Sequence, residues 1–229
     1  MPAGREPRAE FLGSYRRTTQ AVAAAVVTGS FEDPGWVESW DVAFARLYLD
    51  ALDADLTGVG RVPRPWRLAF HAPSTTSPLV HVLLGINAHI NNDLPRALLA
   101  VISDDDFADP RVVGRRRRDH ERIDGVLATR VAAEDRNLSQ HSARSLLDRA
   151  LQPLNRVSSR RFLREARQKV WHNTLELQQA RLAGPDQLAV REAELELLSA
   201  ARVADLLRPG HVLLRLAVAG FGVVLPPAD

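Results

Sequence analysis

Cysteine is absent from all 229 residues, so the chain can hold neither a disulfide nor a thiolate metal site. Imidazole and carboxylate are then the metal ligands left, and the absence fits a cytoplasmic location. Lysine is nearly absent as well. Lys169 stands alone among 30 basic residues, so positive charge is almost all arginine, as a GC-rich genome favours. No run approaches the roughly 20 apolar residues that span a bilayer. The segment AVAAAVV at 21–27 lies well behind a charged, polar start and reads as part of an amphipathic helix, not an export signal. A glycine-rich phosphate loop, a G-x-S-x-G elbow and a fixed-period repeat are all missing, as is any alternating run flanked by hairpin turns.

What is present is an ordinary globular composition, 45% apolar, with a formal net charge of only +2. The dense basic run Arg115 to Arg118 has no interleaved aromatics and has acidic residues close by, which makes it a poor nucleic-acid patch. The expected partner is a small-molecule substrate, with neither nucleic acid nor membrane.

Helix signals recur along the chain. Asp33-Pro34, Ser77-Pro78 and Asp109-Pro110 each pair an N-cap with a proline at the first helical position. Apolar residues at helical spacing predict helices over 10–27, 34–58, 78–98 with a kink or restart at Pro95, 110 onward, 143–151, 158–182, 187–207 and 212–219. The connector 58–77 contains Trp66 to Phe70, one helical turn or a short extended piece. Residues 103–110 form an acidic turn. The prediction is a flexible leader at 1–9, then one all-α domain over 10–229, a helical bundle of about seven to eight helices.

The chain is organised around 78–98, PLVHVLLGINAHINNDLPRAL. It sets His81, Gly85, His89 and Asp93 at four-residue steps, and adds Asn87, Asn91 and Asn92 to a mostly apolar helix. Such a helix is buried, so its polar groups must find partners: a hydrogen-bond network or a ligand site. His89 and Asp93 share one helix face, and so do His120 and Asp124. Two helices each offering imidazole and carboxylate would suit a divalent metal such as zinc or manganese, with second-shell acceptors from Asn87, Asn91 or Asp119. The plainer reading makes each a structural pair. Gly85 clears space that a ligand or a crossing backbone could fill. In Trp171-His172-Asn173, His172 is a further acid/base candidate, with Trp171 a core anchor or a substrate contact. Tyr48 could reach a pocket, and Asp50 could point inward.

The run Gly85 to Pro95, G-I-N-A-H-I-N-N-D-L-P, resembles the signature of a bacterial family catalogued only as a domain of unknown function. The similarity takes in Trp66 to Phe70 and Asp119 to Leu127. It implies a soluble helical protein of high-GC bacteria and marks Asn87, His89, Asn91 and Asp93 as distinctive, without implying a reaction. More distantly, the two H-x-x-x-D pairs look like those of zinc-dependent phospholipases C and single-strand nucleases, which are all-α. That family also uses an N-terminal tryptophan and a further histidine after the first pair, where this chain has MPAGREP and Arg96, Ala97, Leu98.

Three functions follow. In the first, a metal-assisted hydrolase or lyase uses His89, Asp93, His120 and Asp124 as ligands, while His81 and Asn87 orient substrate or move protons. In the second, the same polar cluster, with His89, Asp93, Asn87, His81 and His172 as catalytic groups and Asn91, Asn92, Trp171 and Tyr48 around the substrate, performs a metal-free cyclisation, isomerisation or dehydration in natural-product biosynthesis. In the third, the chain is a non-catalytic binding or scaffold protein whose polar cluster only fixes its core.

Overall fold

The computed structural model describes residues 7–138, 156–210 and 212–227. The fold is all-helical, as the sequence predicts, with no strand among the described residues. Its helices are α1 (Pro7–Val27), α2 (Pro34–Thr57), α3 (Arg64–Phe70), α4 (Pro78–Ala88), α5 (Leu94–Val101), α6 (Asp104–Ala108), α7 (Pro110–Leu138), α8 (Arg156–Ala183), α9 (Pro185–Leu207) and α10 (Val212–Ala219). A non-helical tail, 220–227, follows. The predicted helix at 143–151 lies outside the described residues. None of the described helices is long and apolar enough to cross a membrane.

The cap-plus-proline signals act as expected. Asp33 Oδ1 accepts the Trp36 N–H at 3.1 Å at the start of α2, and Gly58, at φ 70°, closes it in the left-handed conformation that glycine adopts without strain. The Trp66 segment is a helix, and the predicted acidic turn contains the short helix α6. α9 begins two residues before the predicted 187, with Gly184 at its N-cap and Pro185 at the first helical position.

The run 78–101 is continuous and sits at the centre, with α1, α2, α3, α8 and α9 packed around it. Its middle, His89–Asp93, is a π-helical turn in which the Leu94 N–H reaches back to His89 O. Pro95 has no N–H to give to Asn91 O, so the α-ladder cannot continue there. The chain absorbs the fault by widening one turn instead of kinking. Across that turn His89 and Asp93, four residues apart, stay on one face, and Nδ1 meets Oδ2.

Gly85 is a point of close approach. A Cβ there would lie 2.4 Å from the Phe11 ring, so the space predicted for a ligand or backbone is filled by a side chain of α1. Phe11, Tyr48, Trp66, Phe70 and Leu84 form one apolar cluster, and Trp36, Trp40, Leu94, Leu98 and Trp171 a second. Burying a ring such as Phe11 stabilises by about 1.5–3 kcal/mol.

Candidate functional site

Asp93 is 1% exposed and accepts three hydrogen bonds. Its Oδ2 takes the Trp66 Nε1–H at 2.7 Å and His89 Nδ1 at 2.8 Å, and its Oδ1 takes the Asn92 Nδ2–H at 2.7 Å. A carboxylate can only accept, so His89 places its proton on Nδ1 and leaves the Nε2 lone pair bare. That Nε2 is buried with no hydrogen-bond partner among the described residues. The imidazole lies flat on Phe44, at 3.5 Å between ring centres, and meets the Tyr15 ring edge-on at 4.8 Å. Tyr48, Phe11 and Trp66 complete an aromatic box around it.

Electrostatics follow burial. Desolvation lowers the His89 pKa below 6.5 although Asp93 opposes the shift, so the ring is neutral at pH 7. Desolvation pushes the Tyr48 hydroxyl up to about 12. It raises Tyr15 further still, with help from Asp41 and Asp93. Both hydroxyls are buried and lack a partner among the described residues. Asp41, half-buried on α2, is raised to about 6 by desolvation. One base and two protonated hydroxyl donors therefore share a box closed by α1.

A family model matches residues 1–209. The chain belongs to DUF5995, a family of unknown function. The matched part of this DUF5995 chain carries the whole dyad and its aromatic box and stops before α10 and the tail. No curated protein and no solved structure matches it.

The other predicted residues disperse. Asn87 donates to Leu83 O at 2.9 Å and accepts from Asn91 at 3.2 Å. Asn91 goes on to bond the tail at Phe221 O, and His172 bonds the tail at Leu225 O. Asn92 serves Asp93, and His81 is buried on α4. Tyr48 does face His89. His120 is fully buried between the Trp40 and Trp171 rings, with neither ring nitrogen bonded among the described residues. The predicted convergence of His120 and His172 on His89 does not occur, because each imidazole is held within a different set of neighbours. The Asp124 side chain lies outside the described residues. Asp119 is turned to the α1–α2 loop, accepting the Glu32 and Asp33 N–H groups at 2.8 Å each and Arg122 at 3.0 Å. Among the described residues no group of three or more His, Asp or Glu is placed to hold a metal ion.

The sequence singled out neither Tyr15 nor Asp41, and offered Trp66 only as part of the 66–70 segment. Asp41 carried a signal: it lies three residues before Phe44 and seven before Tyr48, on their face of the helix. Asp50, which could have pointed inward, is exposed, because two residues past Tyr48 lies the opposite side. The run Arg115 to Arg118 is a clamp: Arg116 bonds Asp33 at 2.5 Å and Asp106 at 3.3 Å, and Arg118 grips Glu32. An open surface cleft of about 670 Å³ near Asp55, His71 and Glu196 has its carboxylates already bonded, Asp55 by Arg8 and His71, Glu196 by Arg61 and Arg64.

Proposed function

We propose that this DUF5995 protein is a metal-independent acid/base enzyme that isomerises, cyclises or dehydrates a small, largely apolar molecule. The observation that carries the reading is His89, held by Asp93 inside an aromatic box that includes the Tyr15 and Tyr48 rings, its Nε2 and both tyrosine hydroxyls buried without a hydrogen-bond partner among the described residues. A buried polar atom left unpaired costs about 1–3 kcal/mol, so three in one cluster call for a partner that arrives from outside.

His89 Nε2 takes a proton from a C–H or O–H of the substrate. Asp93 then faces an imidazolium and stabilises it, while Trp66 and Asn92 hold the carboxylate in place. Tyr15 and Tyr48, kept protonated by burial, donate to the oxygen on which charge develops. A substrate enters by displacement of α1, whose Phe11 and Tyr15 close the box. A metal at this position would have to take Asp93 from its three donors, which disfavours the metal-assisted reading.

The test is a thermal-shift screen of small enolisable ketones and alcohols, followed by solvent-deuterium exchange into whatever binds. Wild type should exchange the activated C–H. His89→Gln should still bind but exchange at least about 100-fold more slowly, the usual scale of general-base catalysis. Tyr15→Phe should keep or raise stability and weaken binding. No stabilising ligand, together with a Tyr15→Phe variant that melts lower, would make the cluster a sealed structural network.

A further inference from the structure

α2 has two apolar faces. Val37, Trp40, Tyr48, Ala51 and Ala54 are buried against the rest of the fold. Val42, Leu49 and Leu56 recur every seven residues on the opposite side, and they are 58%, 50% and 63% exposed. Ala45 and Leu52 flank them, half-buried. A surface helix has use for one apolar stripe, the one that meets its core. The second stripe runs for about 21 Å, at about 1.5 Å per residue, and stays open to solvent among the described residues.

The outer stripe reads alike in both directions from Leu49. Val42 and Ala45 stand seven and four residues before it, Leu52 and Leu56 three and seven after it. Arg46 stands three before it and Asp53 four after it. At about 100° per residue, both fall on the same edge of the stripe, within about 40° of Val42. Both are exposed, and neither side chain has an ion pair or a hydrogen bond among the described residues. A twofold axis through Leu49 lays a second α2 antiparallel on the first. It sets Leu49 against Leu49 and Val42 against Leu56. It also brings Arg46 and Asp53 to levels within about 1.5 Å, one residue's rise. In such a pair like edges meet, so each Arg46 faces the partner's Asp53. A patch that complements itself in shape and in charge is what an isologous contact requires. A helix of another sequence would need the apolar stripe but not its symmetry.

We propose that the outer face of α2 binds a second copy of this chain, as a twofold dimer with Leu49 at the axis and reciprocal Arg46–Asp53 ion pairs beside it. The contact does not depend on the reaction assigned to His89, because Phe44 and Tyr48 reach that ring from the buried side of the same helix. One helix pair covers less than the roughly 1,600 Å² of a standard interface, so the dimer is weak and assembles at micromolar concentrations. Burial of the leucine stripe supplies the affinity. The ion pairs fix the orientation and the choice of partner.

The test is sedimentation of the full chain from about 1 µM to about 500 µM, across which wild type should pass from monomer to dimer. The substituted positions are all exposed, so the variants keep the fold, which circular dichroism checks. Leu49→Asp sets two carboxylates at the axis and should raise the dissociation constant at least about 100-fold. Leu197→Asp, at an exposed apolar position of α9, should dimerise as wild type does. Charge reversal then identifies the partner. Arg46→Asp and Asp53→Arg each set like charges face to face, and each alone should weaken the dimer at least about tenfold. Mixed in equal amounts, the two single variants should pair with each other as tightly as wild type, and so should the Arg46→Asp/Asp53→Arg double variant with itself. A wild type that stays monomeric over the whole range overturns the proposal. So does a dimer that survives Leu49→Asp or is lost with Leu197→Asp, or a mixture that associates no better than its components.

Discussion

His89 and His120 are both buried in aromatic surroundings, and burial holds both below the ordinary histidine pKa. They come from the same four-residue spacing to an aspartate. Around His89, Asp93 lies one turn on beneath the ring, Trp66 and Asn92 fix that carboxylate, and one nitrogen is left without a hydrogen-bond partner among the described residues, within a box walled by Tyr15 and Tyr48. Around His120 the helix is α-helical throughout, and its ring neighbours among the described residues are Trp40 and Trp171, both tilted to it. A histidine becomes a chemical group when a carboxylate chooses its tautomer.

That contrast can be broken most sharply at Asp93. Asp93→Ala strands the donors of Trp66, His89 and Asn92 in the core, and urea unfolding should show a loss of about 3–5 kcal/mol. Next in size is Gly85→Ala, which meets the Phe11 ring and should lift α1 off the box. A loss of about 1–3 kcal/mol is expected by thermal denaturation, with faster amide exchange in α1. The smallest effect is at His120. His120→Leu removes two nitrogens that have no hydrogen-bond partner among the described residues and gives up two ring contacts, so stability at pH 7 should change by less than about 1 kcal/mol.

The pH profile sharpens the same comparison. Unfolded histidine titrates near 6.5, and both buried rings titrate lower, so the unfolded chain binds more protons below that pH. Their stabilisation is complete above about 6.5 and is lost as pH falls toward the folded values. Asp41 acts in the opposite sense: raised from 3.8 to about 6, it favours the folded state on the acid side and loses that contribution as pH rises through 6. It is common to both proteins, so the difference isolates the histidine. His120→Leu should lose less stability than wild type between pH 6.5 and 5, measured by urea midpoints.

The helices beginning at 34, 78 and 110 were legible because a cap and a proline are local chemistry. The burial of 78–101 was legible because a helix apolar on most sides has nowhere else to go. The π-turn was not, since its only cue, Pro95, also fits a kink, and the choice rests on packing against five other helices. The His89–Asp93 pair could be read from spacing, whereas Tyr15 reaches His89 across 74 residues of sequence with no periodicity to announce it. His172 and Asn91 looked like site residues because buried polar side chains resemble catalytic ones in a sequence. What they bind is the chain's own backbone.

The tail also orders events in time. Residues 220–226 leave the ribosome after every helix they dock on, and Asn91 waits about 130 residues for Phe221. Until then the Asn91 and Asn173 amides lack these main-chain partners. Docking of residues 220–226 therefore requires the helices that carry Asn91 and Asn173 to be packed already.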